Sequence, residues 1–280
     1  MLNINKYMLI MIDVELQKEL RMRFNPEGSD LRRAQLRMVE MLKFFDSVCK
    51  QHKMTYWLDS GTLIGAARHG GFIPWDDDVD ICMPIKDLKK FKKLMLNNNL
   101  SDEFVLQCHE TDFYFLSSPS WCVLRDLKSE YIQNSHLHNV RKFRGLQIDL
   151  FGVEENTIEF LHYFCCKYQS KIIDWLLYKN CKHLAYLSYL PFRYCIIPTF
   201  RLLSVCSKKK YYRMGYGIPI RSKRYVETIF PISKISFEGY LFNAPSNSDK
   251  YLSNIYKNWK QVPEFKKVKT HNVKFKFWSI

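Results

Sequence analysis

The chain lacks most of the marks that assign a protein to a specialised class. Its nine cysteines form no CxxC pair, their number is odd, and several lie inside apolar runs. A disulfide framework is therefore not expected, and the setting read from the cysteines is reducing and cytoplasmic. Cys165, Cys166, Cys181 and His183 fit no standard zinc spacing. Met8 to Ile12 is apolar, but Asp13 and Glu15 end the run too early for a signal peptide. No uninterrupted run of about 18 apolar residues occurs, so a spanning helix is not expected. There are no internal repeats and no low-complexity tract. Acidic residues are missing altogether from Lys182 to Val226.

What is present describes a globular, basic chain. It has 280 residues, 47% hydrophobic and 25% charged, with a formal net charge of +15. That length buries a substantial core, and the charge suits an anionic partner: nucleic acid, anionic lipid or a phosphorylated substrate. No nucleic-acid-binding motif accompanies the charge, so nucleic acid is not the expected partner.

Periodicity predicts an amphipathic helix from Leu31 to about His52, with Ser29 or Asp30 as N-cap. Thr55–Asp59 reads as a short strand and Thr62–Arg68 as a helical turn. Val79–Met83 reads as a second strand, and Lys86 to about Asn98 as a basic amphipathic helix. Phe104–Cys108, Trp121–Arg125 and Leu146–Phe151 read as further strands. Thr157–Lys179 has an aromatic-rich helical pattern. A hairpin follows from Ile232, then a short helix over Ser248–Lys257. Alternating strands and helices give an α/β (α+β) class: a mixed sheet with flanking helices and a helical, basic C-terminal half.

The acidic run Asp76-Asp77-Asp78-Val79-Asp80 enters the second strand. Asp78 and Asp80 share one face of it because side chains alternate with period two. Asp76 has the same parity; Asp77 points elsewhere. Carboxylates so placed repel one another unless a cation joins them. Hard oxygen ligands suit Mg²⁺ or Mn²⁺. Asp149 is the best third carboxylate, since Leu146, Ile148 and Leu150 flank it and a buried aspartate needs a partner. Asp112 and Asp126 are weaker alternatives near turns. Upstream, Ser60-Gly61 opens a helical turn whose backbone N–H groups suit a phosphate.

The stretch YWLDSGTLIGAARHGGFIPWDDDVDI at 56–81 closely resembles the LicD family, which includes phosphocholine transferases and fukutin-related proteins. FRGLQIDLF at 143–151 resembles its second acidic strand. Phe237-Glu238-Gly239-Tyr240, Ala244-Pro245 and Tyr251-Leu252 resemble its closing motif. The resemblance is best over residues 30–152. The chain departs from it at Gly152, where the family often has proline, and at Tyr256-Lys257-Asn258, where it often has Tyr-Gly-Asp.

The resemblance implies a nucleotidyltransferase-like core over 30–152 within a single catalytic domain of 1–280. The rest is a helical basic insertion over 153–230 and a closing segment over 231–280. It implies transfer of a phospho-linked group, phosphocholine first, from a CDP-activated donor to a hydroxyl of a glycan or lipid-linked glycan. Asp78, Asp80 and Asp149 are the expected catalytic residues and, with Asp76, the expected metal ligands. Ser60, Gly61, Thr62 and Arg68 are expected at the donor phosphate, and Trp75 and Arg125 at choline or acceptor. The alternative is a sugar-nucleotide glycosyltransferase using the same acidic pair. The acid-free stretch 182–226 is expected to meet an anionic membrane surface, making the protein peripheral on the cytoplasmic membrane.

Overall fold

The computed structural model describes residues 12–133, 140–155, 157–207, 210–264, 268 and 273–278. Met8 to Met11, and Lys208 and Lys209 within the 182–226 stretch, lie outside the described residues.

Two helices come first, α1 (Val14–Phe24) and α2 (Asp30–Gln51). Ser29 caps α2, its hydroxyl accepting from the Arg32 N–H at 3.2 Å. The buried stripe Ala34, Met38, Met41, Leu42, Phe45, Val48 and Cys49 follows the predicted helical spacing. Then come β1 (Trp57–Leu58), α3 (Ser60–His69), β2 (Val79–Pro84) and α4 (Ile85–Asn97). Next are β3 (Phe104–Gln107), β4 (Trp121–Asp126), β5 (Ser129–Gln133) and β6 (Gln147–Glu154).

The main sheet has the order β1-β2-β6-β4-β3, with β2 and β6 parallel and the other neighbours on this path antiparallel. The parallel pair is the centre of the molecule. Its strands are nearly continuous apolar runs because both faces are covered. Asp80 and Asp149 interrupt those runs at one level.

The second half is helical, then returns to the sheet. Helices α5 (Glu159–Tyr168) and α6 (Asp174–Tyr178) flank a π-helical turn at Gln169–Ile173. Helices α7 (Lys182–Pro191) and α8 (Ile197–Ser204) flank another at Phe192–Ile196. The pattern read as one helix over Thr157–Lys179 is thus a helix with a widened turn. These helices enclose their own small core, with Leu116, Cys165, Tyr189, Phe192 and Tyr216 inside.

Strand β7 (Tyr211–Met214) then pairs antiparallel with β6, and β8 (Arg224–Tyr225) with β7. This corrects the reading of 182–226 as one basic surface. Its C-terminal part is sheet, and Arg213 and Arg224 are both buried, 1% exposed. After α9 (Val226–Ile229), the predicted hairpin is β9 (Ser233–Phe237) with β10 (Tyr240–Ala244). Helix α10 (Ser248–Ile255) follows, and β11 (Val273–Phe277) pairs with β5. Among the described residues no helix is long and apolar enough to cross a membrane.

Candidate functional site

The site is assembled by register. In the parallel pair, Asp80 of β2 lies directly opposite Asp149 of β6. One carboxylate oxygen each from Asp78, Asp80 and Asp149 lies within 4.8 Å of the others. Asp76, Asp77 and Asp78 form a second such group, so Asp78 is common to both. The strand starts only at Val79, so Asp76–Asp78 form the turn leading into it and converge by loop geometry rather than strand parity. Asp77 is buried and also accepts from the Tyr131 hydroxyl at 2.8 Å.

These carboxyls are held in an environment that resists ionisation. Burial, then the charges of Asp78 and Asp149, push Asp80 well above the usual carboxylate range. Burial, then Asp78 and Asp77, do the same to Asp76, with Arg68 opposing. Burial raises Asp149, against the Trp121 hydrogen bond and the charges of Arg125 and Arg141. Among the described residues no lysine or arginine pairs with Asp80. A close set of hard oxygens matches what Mg²⁺ or Mn²⁺ requires.

Asp149 is oriented from β4. The Trp121 indole Nε1 donates to its Oδ1 at 2.7 Å, and Trp121 stacks on Phe151 with centroids 5.8 Å apart. Sequence reading placed Trp121 on a strand but gave it no role; an indole beside an acidic strand was the available signal. Asp112 accepts from Gln107 and the Lys142 N–H, and Asp126 pairs with Arg37 and Ser129. Both belong to these other networks.

On the opposite side, α3 begins at Ser60. Leu63 is bonded back to the Asp59 carbonyl at 3.0 Å, leaving the N–H groups of Ser60, Gly61 and Thr62 in the opening turn. Ser60 has φ +46°, a left-handed conformation that costs about 1–3 kcal/mol for a non-glycine residue. Gly61 lies against the acidic turn: a Cβ there would sit 2.7 Å from Asp76 Oδ2. Thr62 ties the helix to the strand, its Oγ1 accepting from the Asp80 N–H at 2.8 Å.

Beneath this turn is a fully buried network that sequence reading missed. Asp59 pairs with Arg224 at 2.6 Å, and each side chain is 0% exposed. The Tyr251 hydroxyl donates to Asp59 at 2.6 Å and accepts from Trp57 Nε1 at 2.9 Å. Burial alone would raise the Asp59 carboxyl; Arg224 and Tyr251 reverse this and hold it below the usual range. Trp57 is thus core.

Two residues expected at the ligand make structural hydrogen bonds. Arg68 is buried, donates to the carbonyls of Trp259 and Gln261 at 2.7 and 2.8 Å, and so anchors the C-terminal segment. Burial lowers its pKa to about 10. Arg125 is buried too, donating to Gln107 Oε1 at 2.8 Å and the Gly145 carbonyl at 2.9 Å. Both chains point inward because backbone carbonyls needing donors lie there. Trp75 is half-buried at the end of the acidic turn, edge-on to Phe24 at 5.2 Å. His69 is buried, its Nδ1 2.6 Å from Gln17 Oε1, and its pKa is lowered to about 3 by burial and Arg68.

Comparison with known proteins agrees with this geometry. Residues 53–174 match the family model described as LicD/FKTN/FKRP, nucleotidyltransferase domain. The lipopolysaccharide cholinephosphotransferase LicD of Haemophilus influenzae is 48% identical over 61 residues, 22% of this chain and 23% of that protein. An uncharacterized protein of Rickettsia prowazekii is 26% identical over 136 residues, 42% of this chain and 50% of that one. The ribitol 5-phosphate transferase FKRP of Mus musculus is 33% identical over 104 residues, 35% of this chain and 18% of that protein. The chain thus spans half or less of the length of these relatives. The matched region, residues 53–174, contains the α3 turn and both acidic strands, and over it the chain is similar to the LicD family.

Proposed function

We propose that the protein transfers a phospho-linked group, phosphocholine first among the candidates, from a CDP-activated donor to a glycan hydroxyl. The observation that carries this reading is the alignment of Asp80 with Asp149 across the parallel strands, with Asp78 in the same cluster. The names of the matched relatives, a cholinephosphotransferase and a ribitol 5-phosphate transferase, support the same chemistry.

Asp78, Asp80 and Asp149 would hold a divalent cation, with Asp76 adjoining. Such a cation supplies charge neutralisation on the donor diphosphate as the phosphoryl group moves. The Ser60, Gly61 and Thr62 N–H groups at the start of α3 then serve the donor phosphate oxygens. Trp121 fixes the Asp149 carboxylate, which favours a ligand role over that of a mobile base. Trp75, at the rim of the acidic turn, offers an aromatic face to a quaternary ammonium.

The test is product analysis. The purified chain is incubated with CDP-choline and a glycan acceptor, with Mg²⁺ or with chelator. CMP release that requires the cation is the expected result. Release of a nucleoside diphosphate from a sugar nucleotide instead would assign the chain to the glycosyltransferases. No turnover across CDP-choline, CDP-ethanolamine, CDP-glycerol and CDP-ribitol would overturn the proposal.

A further inference from the structure

The helical segment from α7 to α8 presents an anomaly. A surface helix normally turns charged residues to water and apolar ones to the core. Here Leu184, Leu187, Pro191, Tyr194, Pro198 and Leu202 recur at steps of three and four and all are exposed. Leu187 is 59%, Tyr194 61% and Leu202 74% exposed. The opposite stripe, with Ala185, Tyr189, Phe192 and Ile197, is already buried in the small second core. The helix is therefore apolar on both sides, and none of its exposed positions from Leu184 to Leu203 carries a charge. The preceding helices also expose Phe160 at 72% and Trp175 at 53%. An apolar surface of this extent marks an interaction site.

Charge selects the occupant. From Phe160 to Val226 the sequence contains one acidic residue, Asp174, and its carboxylate accepts from Gln169. Arg193 and Arg201 are consumed by Glu110 and Glu154. Lys167, Lys171 and Lys179 are exposed and have no carboxylate partner among the described residues. A second copy would bring the same positive charge against this surface. Anionic headgroups complement it, and acyl chains accept the exposed leucines and aromatics.

We propose that the α7–α8 stripe lies in the interface of an anionic lipid bilayer, docking the protein on one leaflet without spanning it. The docking surface is the helical segment alone, since Tyr211–Met214 and Arg224–Tyr225 are strands paired with the sheet. The inference does not rest on the transfer activity.

The full chain is sedimented with phosphatidylcholine vesicles and with vesicles also holding about 30% phosphatidylglycerol. The chain is expected to pellet with the anionic vesicles and much less with the neutral ones, and less at high salt. The pair Leu187→Glu/Leu202→Glu should lower partitioning by about tenfold or more with unchanged circular dichroism. A polarity-sensitive fluorophore on the exposed Cys195, in Cys206→Ser protein, should shift to the blue on anionic vesicles. That reading holds even if the double variant fails to fold. Absence of both pelleting and shift overturns the proposal, as does equal partitioning of wild type and a folded double variant. A vesicle-free dimer that the double variant abolishes would assign the stripe to a second copy instead and also overturns it.

Discussion

Asp59 and Arg224 stand 165 positions apart in the sequence and meet as an ion pair with no solvent access, at 2.6 Å. The pair sits directly under Ser60, so it joins β8 to the start of α3. Removing one member leaves a buried charge without its counterion, which costs roughly 3–5 kcal/mol. Arg224→Met is expected to lower the melting temperature steeply. Asp59→Asn/Arg224→Met should recover part of that loss, because the orphaned charge is gone. Thermal denaturation of the single and double variants measures the coupling. Additive effects would show that the pair is not energetically joined.

The acidic cluster behaves in the opposite sense. Asp80 is half-buried beside Asp78 and Asp149, and desolvation and their charges raise its pKa, so its ionisation opposes folding when no cation is present. Asp80→Asn removes that repulsion. The variant is expected to lose turnover by a thousandfold or so, while its chelator-treated form melts at or above the wild-type temperature. A strongly destabilised Asp80→Asn protein would contradict this account of the site.

Both pairs bear on what the sequence alone discloses. The acidic trio is readable because Asp78 and Asp80 are neighbours, and because Asp149 is an aspartate framed by Leu146, Ile148 and Leu150. Local periodicity similarly yields α2, α4 and the β9–β10 hairpin to within a few residues. Arg224 is different. It lies in a run of basic residues with nothing local to separate it from Lys223 or Arg221, and its partner is set by β7 joining β6. The internal hydrogen bonds of Arg68 and Arg125 are hidden for the same reason. Motif position places them beside the site, but the carbonyls that capture their donors belong to distant segments. Trp121 is found only once β4 is known to run antiparallel beside β6.

The sign of the pH dependence follows from the raised carboxyls. A carboxyl whose folded pKa exceeds its ordinary value of 3.8 loses folding stability as pH climbs from that value through the raised one. Added Mg²⁺ should offset the loss, and it competes with protons for the same oxygens. The melting-temperature gain from Mg²⁺ is therefore expected to be larger at about pH 8 than at about pH 5.5. Equal gains at both pH values, or none, would argue against cation binding by these groups.

Trp121 offers a test of positioning. Trp121→Phe keeps the ring that stacks on Phe151 but deletes the donor to Asp149. Turnover is expected to fall roughly ten- to a hundredfold, with a weaker apparent affinity for Mg²⁺ and little change in the KM for the donor. Raised Mg²⁺ should restore part of the rate. A change confined to the donor KM would place Trp121 at the substrate instead.

Two glycines one turn apart on α3 separate catalysis from folding. A Cβ at Gly61 would meet Asp76 Oδ2 at 2.7 Å, the end of a side chain that can swing aside. A Cβ at Gly65 would meet the Gly71 carbonyl at 2.4 Å and the Ile73 nitrogen at 3.0 Å, which are backbone atoms fixed by the turn. Gly61→Ala is therefore expected to fold with a stability change of about 1 kcal/mol or less, yet lose most activity as Asp76 is displaced. Gly65→Ala should lose about 2–3 kcal/mol, since the helix must part from the loop carrying the acidic turn. Melting curves and turnover for the two variants decide the matter. Full activity in a stable Gly61→Ala protein would remove Asp76 from the site.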